Sequence, residues 1–141
     1  MRVVLDTNVI FQGLTQQGGA AGLIIDACFV GLIQACVSNT LSYEYVDVLS
    51  RKLSETRWLE IQPVLGLLLR QAEYIPIYYS WRPTSPDAGD DFVIDCGMNA
   101  GATIVTENIR DFLQARESLG LQVLTPVELI VQLTRSQERL S

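Results

Sequence analysis

Five short, almost uninterrupted apolar runs punctuate the chain, at residues 3–5, 32–37, 74–79, 102–106 and 122–124. Runs of this length without polar alternation suit strands covered on both faces. The segments between them carry apolar residues at helical spacing, and no hairpin turn signal joins one run to the next. Parallel pairing through helical crossovers is the arrangement that satisfies both observations. The expected fold is therefore α/β: a three-layer α/β/α sandwich with a central parallel sheet of about five strands. With 141 residues, 48% of them hydrophobic, residues 1–141 are expected to form a single domain around one core. There is no internal repeat and no low-complexity segment.

The helices announce themselves by their ends. Leu23, Ile24, Ala27 and Cys28 mark a helix over residues 20–30, closed by Gly31. Ser38, Asn39 and Thr40 offer capping side chains for a helix running to about residue 53, with Leu41, Tyr45, Val48 and Leu49 as its apolar stripe. A helical segment follows over residues 56–72, where Pro63 is expected to kink or divide it. Residues 80–89, rich in Pro and Gly, read as a loop. A helix is expected over residues 90–100, ending at Gly101, and a short helical turn over residues 107–115. Thr125-Pro126-Val127-Glu128 forms a capping box with proline at the first helical position, opening a last helix that ends in a polar tail over residues 135–141.

Composition limits the chemistry. The chain has no histidine, which removes the commonest general base, the Ser/His and Cys/His nucleophile pairs and the His-rich zinc sites. Cys28, Cys36 and Cys96 lack metal-ligand spacing and sit among apolar neighbours, so they read as reduced core thiols. The net charge is −6, with Lys52 the only lysine, which argues against a broad basic surface for long nucleic acid. No stretch is long and apolar enough for a membrane span, and the N-terminus enters a strand without a leader pattern, so a cytoplasmic location is expected. Catalysis, if any, rests on carboxylates.

Four carboxylates stand where strands end or where apolar stripes run. Asp6 closes the first strand, at the carboxyl edge where open α/β sheets bind ligands; a helix cap is its alternative reading. Glu44 lies within the stripe Leu41, Tyr45 and Val48, where an ionised side chain is costly unless paired or bound to metal. Asp90 shares a stripe with Val93, Ile94 and Gly97 and is expected to point inward, whereas Asp91 lines up with Asp95 and Met98. Asp111 follows the fourth strand closely, with Thr106 and Asn108 as neutral oxygen donors beside it. Two carboxylates ~4 Å apart repel by about 4 kcal/mol at an effective dielectric of ~20, so such a cluster is stable only with cations or protonation. Oxygen ligands without His or Cys select Mg²⁺ or Mn²⁺, and the chemistry implied is metal-activated water attacking a phosphodiester.

The stretches Val4-Leu5-Asp6-Thr7-Asn8-Val9, Val37-Ser38 to Leu49 around Glu44, Asp90-Asp91-Phe92-Val93-Ile94-Asp95-Cys96 and Ile104 to Phe112 together resemble the PIN domain family, in the branch similar to VapC-type toxins of bacterial toxin-antitoxin systems. The likeness covers nearly the whole chain in order. It implies a PIN-like parallel sheet, a Mg²⁺- or Mn²⁺-dependent endoribonuclease acting on RNA, a homodimer, and inhibition by a small antitoxin protein. On this sequence it implies Asp6, Glu44, Asp90 and Asp111 as the catalytic acids, with one metal between Asp6 and Asp90 and a second when substrate is bound. Asn8 is expected to orient Asp6, supported by Thr7, and Thr106 and Asn108 match the polar element before Asp111. Asn at position 108 in place of an acid removes one charge from the second metal position.

Three other readings compete. Aspartyl-phosphate phosphatases need a second acid where this chain has Asn8. A response-regulator receiver needs a lysine on a late strand, and Lys52 is elsewhere. A catalytically weak or inactive PIN fold acting as a partner-binding module remains the alternative function. Arg110 stands beside Asp111 and reads either as a phosphate contact or as a solvated helix arginine. Tyr78, Tyr79 and Trp81 read either as base-stacking groups or, more commonly for such a cluster, as part of a core strand.

Overall fold

The computed structural model describes residues 1–16, 18–80 and 88–140. Five parallel strands form one sheet in the order β3-β2-β1-β4-β5: β1 (Arg2–Leu5), β2 (Gln34–Val37), β3 (Glu73–Tyr74), β4 (Thr103–Val105) and β5 (Val123–Leu124). The chain moves outward from β1 through β2 to β3, then returns to the other side of β1 for β4 and β5. Helical crossovers of one hand, run in opposite directions from the centre, cover both faces of the sheet. The result is the expected three-layer sandwich.

The helices are α1 (Thr7–Thr15), α2 (Ala20–Phe29), α3 (Asn39–Lys52), α4 (Glu55–Gln71), α5 (Ala88–Ala100), α6 (Leu113–Leu119) and α7 (Pro126–Leu140), with a 3-10 turn over Ile109–Phe112. Their ends follow the sequence signals. Ser38 caps α3 by accepting from Leu41 N at 3.0 Å. Gly31 takes a φ of 82° just past α2, a conformation that glycine adopts without strain. The box at α7 is reciprocal: Thr125 N donates to Glu128 Oε1 at 2.9 Å, and Glu128 N to Thr125 Oγ1 at 3.1 Å.

β1 is the spine of the core. Val3, Val4 and Leu5 are wholly buried, as are Ile104 and Val105 beside them on β4. α5 lies close on β4: a Cβ added at Gly97 would meet Ile104 Cγ1 at 2.9 Å, so a glycine is what lets the helix approach. Cys28, Cys36 and Cys96 are buried free thiols, as expected. Burial pushes Cys28 and Cys96 up to about 12, so they stay protonated and inert. Among the described residues, no helix is long and apolar enough to cross a membrane.

Several boundaries differ from the sequence reading, among them the turn expected over residues 107–115, which continues as α6 to Leu119. Pro63 does not divide α4; the helix runs through it from Glu55 to Gln71. The polar tail is helical as far as Leu140, because α7 keeps only a narrow apolar face and its outer face is free to be polar. α5 opens two residues earlier than expected, at Ala88; most of the expected loop, residues 81–87, lies outside the described residues. The third strand is two residues rather than six: after Ile75 N donates to Val37 O at 2.8 Å, the chain leaves the sheet. Tyr78 and Tyr79 are therefore 82% and 56% exposed, not core. Trp81 lies outside the described residues.

Candidate active site

The site starts from the register of the two central strands. Leu5 pairs with Val105 at the carboxyl ends of β1 and β4, which is the point where the strand order reverses. The next residue on each strand is therefore Asp6 facing Thr106. Asp6 N donates to Val105 O at 2.9 Å and prolongs the pairing by one residue. Beyond it, side chains take over: Thr106 Oγ1 donates to Asp6 Oδ2 at 2.7 Å, both residues being buried.

Asp6 is also the cap of α1, its Oδ1 accepting from Thr7 N at 2.7 Å. The cap and the pocket acid, alternatives in the sequence, are one residue doing both. Both carboxylate oxygens accept a hydrogen bond, so the direction of the carboxylate is fixed. Thr106 Oγ1 in turn accepts from Asn108 N at 3.0 Å, and Asn108 Nδ2 donates to Asp111 Oδ2 at 2.6 Å. A hydrogen-bonded line thus joins Asp6 to Asp111 through Thr106 and Asn108. Asn8 departs from expectation: its Oδ1 accepts from Glu107 N at 3.4 Å rather than orienting Asp6. It ties the first turn of α1 to the chain leaving β4, and Thr106 takes the orienting role instead.

Two further helices bring acids to the same place. α3 is anchored to β1 by Tyr45, whose buried hydroxyl donates to Leu5 O, the carbonyl immediately before Asp6. Burial, before any neighbouring charge, pushes that hydroxyl well above its ordinary value, so it stays a donor. Glu44, the residue before it, is half-buried on the cleft wall. Asp90 stands in the first turn of α5, 8% exposed, where a carboxylate complements the helix dipole. Asp91 and Asp95 are also buried, but Asp90 lines the cleft and they do not.

Asp6, Glu44, Asp90 and Asp111 thus line one cleft of about 320 Å³, with Thr7, Asn8 and Asn108 beside them. Thr106 lies beneath, wholly buried. Among the described residues, no three acidic or thiol groups are drawn closely enough to cage an ion by themselves. The donors are oxygens spread along a wall. Such a set fits a hard cation that keeps part of its own water shell, as Mg²⁺ does, better than a fully dehydrated one.

Five lining residues were not among the candidate site residues of the sequence: Phe11 and Gln12 of α1, Val48 and Lys52 of α3, and Gly89 of α5. The signal for Lys52 was available, because Glu44, Val48 and Lys52 follow one another at helical spacing. Its Nζ lies 5.5 Å from the centroid of the Phe11 ring. Arg110 is exposed and does not line the cleft.

A parallel sheet of order 3-2-1-4-5, with acids from four separate segments gathered over its switch point, defines an α/β protein of acidic-cleft type. The family model described as PIN domain matches residues 2–110, and the chain belongs to that family. Solved structures share the fold. The VapBC2 complex of Rickettsia felis, bound to a promoter DNA fragment, has a chain 14% identical with a TM-score of 0.63, covering 89% of this chain and 98% of its own. VapBC-1 of nontypeable Haemophilus influenzae is similar at 14% identity and TM-score 0.61, over 90% and 99% of the two chains. FitAcB of Neisseria gonorrhoeae follows at 17% identity and TM-score 0.57, over 88% and 97%. Comparison with curated protein sequences gives no match.

Proposed function

We propose that this PIN-domain protein is a Mg²⁺- or Mn²⁺-dependent endoribonuclease, acting in the cytoplasm as the toxin of a toxin-antitoxin pair. The observation that carries the reading is the convergence of Asp6, Glu44, Asp90 and Asp111, from four segments, on one cleft at the β1/β4 edge. Asp6 and Asp90 would hold the ion, directly or through water. A divalent ion bound there would supply charge neutralisation for the phosphate and a lowered pKa for water. Glu44 and Asp111 would serve as further ligands or orient the attacking water. Thr106 holds the Asp6 carboxylate, and Asn108 holds Asp111, so that neither turns away when the ion is absent. The shape likeness to chains of the VapBC and FitAcB structures supports an antitoxin partner; a homodimer is part of the same proposal.

The test uses purified protein with single-stranded and structured RNA in Mg²⁺, Mn²⁺ or EDTA, beside Asp6→Asn and Asp90→Asn. Asn is as good a helix cap as Asp, so Asp6→Asn keeps α1 while removing the charge. Cleavage is expected to need the ion and to fall about a thousandfold or more in either variant. Cleavage that survives EDTA or either substitution would sink the assignment. An intact wild type that cleaves no RNA favours the partner-binding alternative, against which the presence of all four acids argues.

A further inference from the structure

A cleft walled by four carboxylates repels the phosphodiester it is read to cleave, and a protein of net charge −6 offers little general attraction to offset this. An ion held by Asp6 and Asp90 would offset this at the scissile phosphate, not along the rest of the strand. Among the described residues lining the cleft, Lys52 is the one cation. It enters no ion pair there: the ion pairs among the described residues are Arg2–Glu73, Arg51–Asp47 and Arg57–Glu60. The adjacent Arg51 is committed to Asp47 at 3.0 Å, which leaves Lys52 as the ammonium of that helix end available to an anion.

Its position is held by packing. Lys52 Nζ sits 5.5 Å from the centroid of Phe11, itself a cleft residue, so the ammonium rests over an aromatic face instead of collapsing onto an acid. Lys52 lies two turns beyond Glu44 on the same stripe of α3, about 12 Å along the helix axis. Lys52 and Glu44 therefore meet the same cleft from places two turns apart on one helix.

We propose that Lys52 is the phosphate-positioning residue of this site. It grips a backbone phosphate flanking the scissile one and thereby sets how an RNA strand lies across the acidic cleft. The proposal rests on the ribonuclease reading for its substrate, but not on cleavage for its test. Lys52 contacts no reacting atom.

The experiment measures binding of a 2′-O-methyl RNA oligonucleotide, which resists cleavage, by fluorescence anisotropy in Mn²⁺ over a range of KCl. The proteins are wild type, Lys52→Met and Lys52→Arg, with Mn²⁺ affinity measured separately by calorimetry. Lys52→Met is expected to weaken oligonucleotide binding about tenfold and to lower the slope of log affinity against log salt by about 0.7, one phosphate contact on a single strand. Lys52→Arg restores the slope, and Mn²⁺ binding stays as in wild type. An unchanged salt slope in Lys52→Met overturns the proposal, and so does a loss of Mn²⁺ affinity, which would mark a merely structural role. Wild type that binds the oligonucleotide without cleaving RNA contradicts the nuclease reading and leaves Lys52 tested on its own slope. Wild type that binds no oligonucleotide overturns the proposal, while the metal requirement of cleavage is judged by Asp6→Asn.

Discussion

The centre and the edge of the sheet end in opposite ways. At the centre, β1 and β4 pair up to Leu5 and Val105, and the pairing then continues through a backbone bond and a buried side-chain bond, Thr106 Oγ1 to Asp6 Oδ2, between residues 100 positions apart. At the edge, β2 and β3 pair over two residues, one more bond forms at Ile75, and the chain leaves. There, among the described residues, a side-chain amide holds it: Asn99 of α5 accepts from Tyr78 N at 3.0 Å through Oδ1 and donates to Tyr79 O at 2.8 Å through Nδ2. Burial explains the difference. A charge next to a dry core must be hydrogen-bonded from several sides, and those bonds fix it in place. A segment on an edge meets water and needs only enough bonds to stay attached. Fixed acids suit chemistry, and the loosely tied tyrosines form surface.

Breaking the centre therefore has the largest consequence. Thr106→Val keeps the shape and the strand preference but removes the donor to Asp6 and the acceptor for Asn108 N. If the site works as proposed, RNA cleavage should fall about 10- to 100-fold and Mn²⁺ affinity with it, as for other groups that orient a metal ligand. Calorimetric Mn²⁺ titration beside a cleavage assay checks this; full activity would mean that Asp6 needs no such support. Tyr45→Phe tests the anchor beneath. It leaves the buried Leu5 carbonyl without that hydroxyl, and urea unfolding should show a loss of about 1–3 kcal/mol.

The sequence made the centre legible and the edge not. The apolar runs at residues 3–5 and 102–106 are buried on both faces in any parallel sandwich, so they identify themselves, and Asp6 at the end of one was readable as a site acid. The run at residues 74–79 looked the same because apolar composition does not say whether a strand lies inside a sheet or on its rim. The four acids were each picked out as candidates by position on a strand end or helix stripe, and the fold brings them to one cleft. What they bond to was not readable, since the partner of Asn8 depends on the register between β1 and β4, which no local pattern carries. Lys52 was missed for a different reason: a lysine at a helix end has an ordinary surface role, and that reading hid its helical spacing from Glu44 and Val48 on the same stripe.

Alkaline pH offers a graded way to load the centre. The folded thiols of Cys28 and Cys96 are raised by burial from 9.0 to about 12, and the Tyr45 hydroxyl is raised the same way. A folded value above the unfolded one means that the native state keeps a proton the unfolded chain gives up. Stability is then full below pH ~9 and declines as pH rises toward ~12, with every one of these groups acting in the same direction. Urea midpoints measured across that window should fall steadily, and Cys96→Ala should flatten the fall. A midpoint independent of pH would show that these groups are not protected.

The smallest effect is expected at the edge. Asn99→Ala removes the amide that holds residues 78 and 79 but leaves the Asp6–Thr106 pair untouched. Global stability should drop by about 1 kcal/mol, because the freed backbone groups are exposed and water replaces the lost bonds. Hydrogen exchange gives the sharper readout: the Tyr78 amide should lose protection, while the Asp6 and Thr106 amides, bonded to Val105 O and Leu124 O, keep theirs. If cleavage by Asn99→Ala instead fell as far as in Thr106→Val, the strain would have travelled down α5 to Asp90. The helix shared by the two regions would then couple them, and the division between a rigid centre and an independent rim would be wrong.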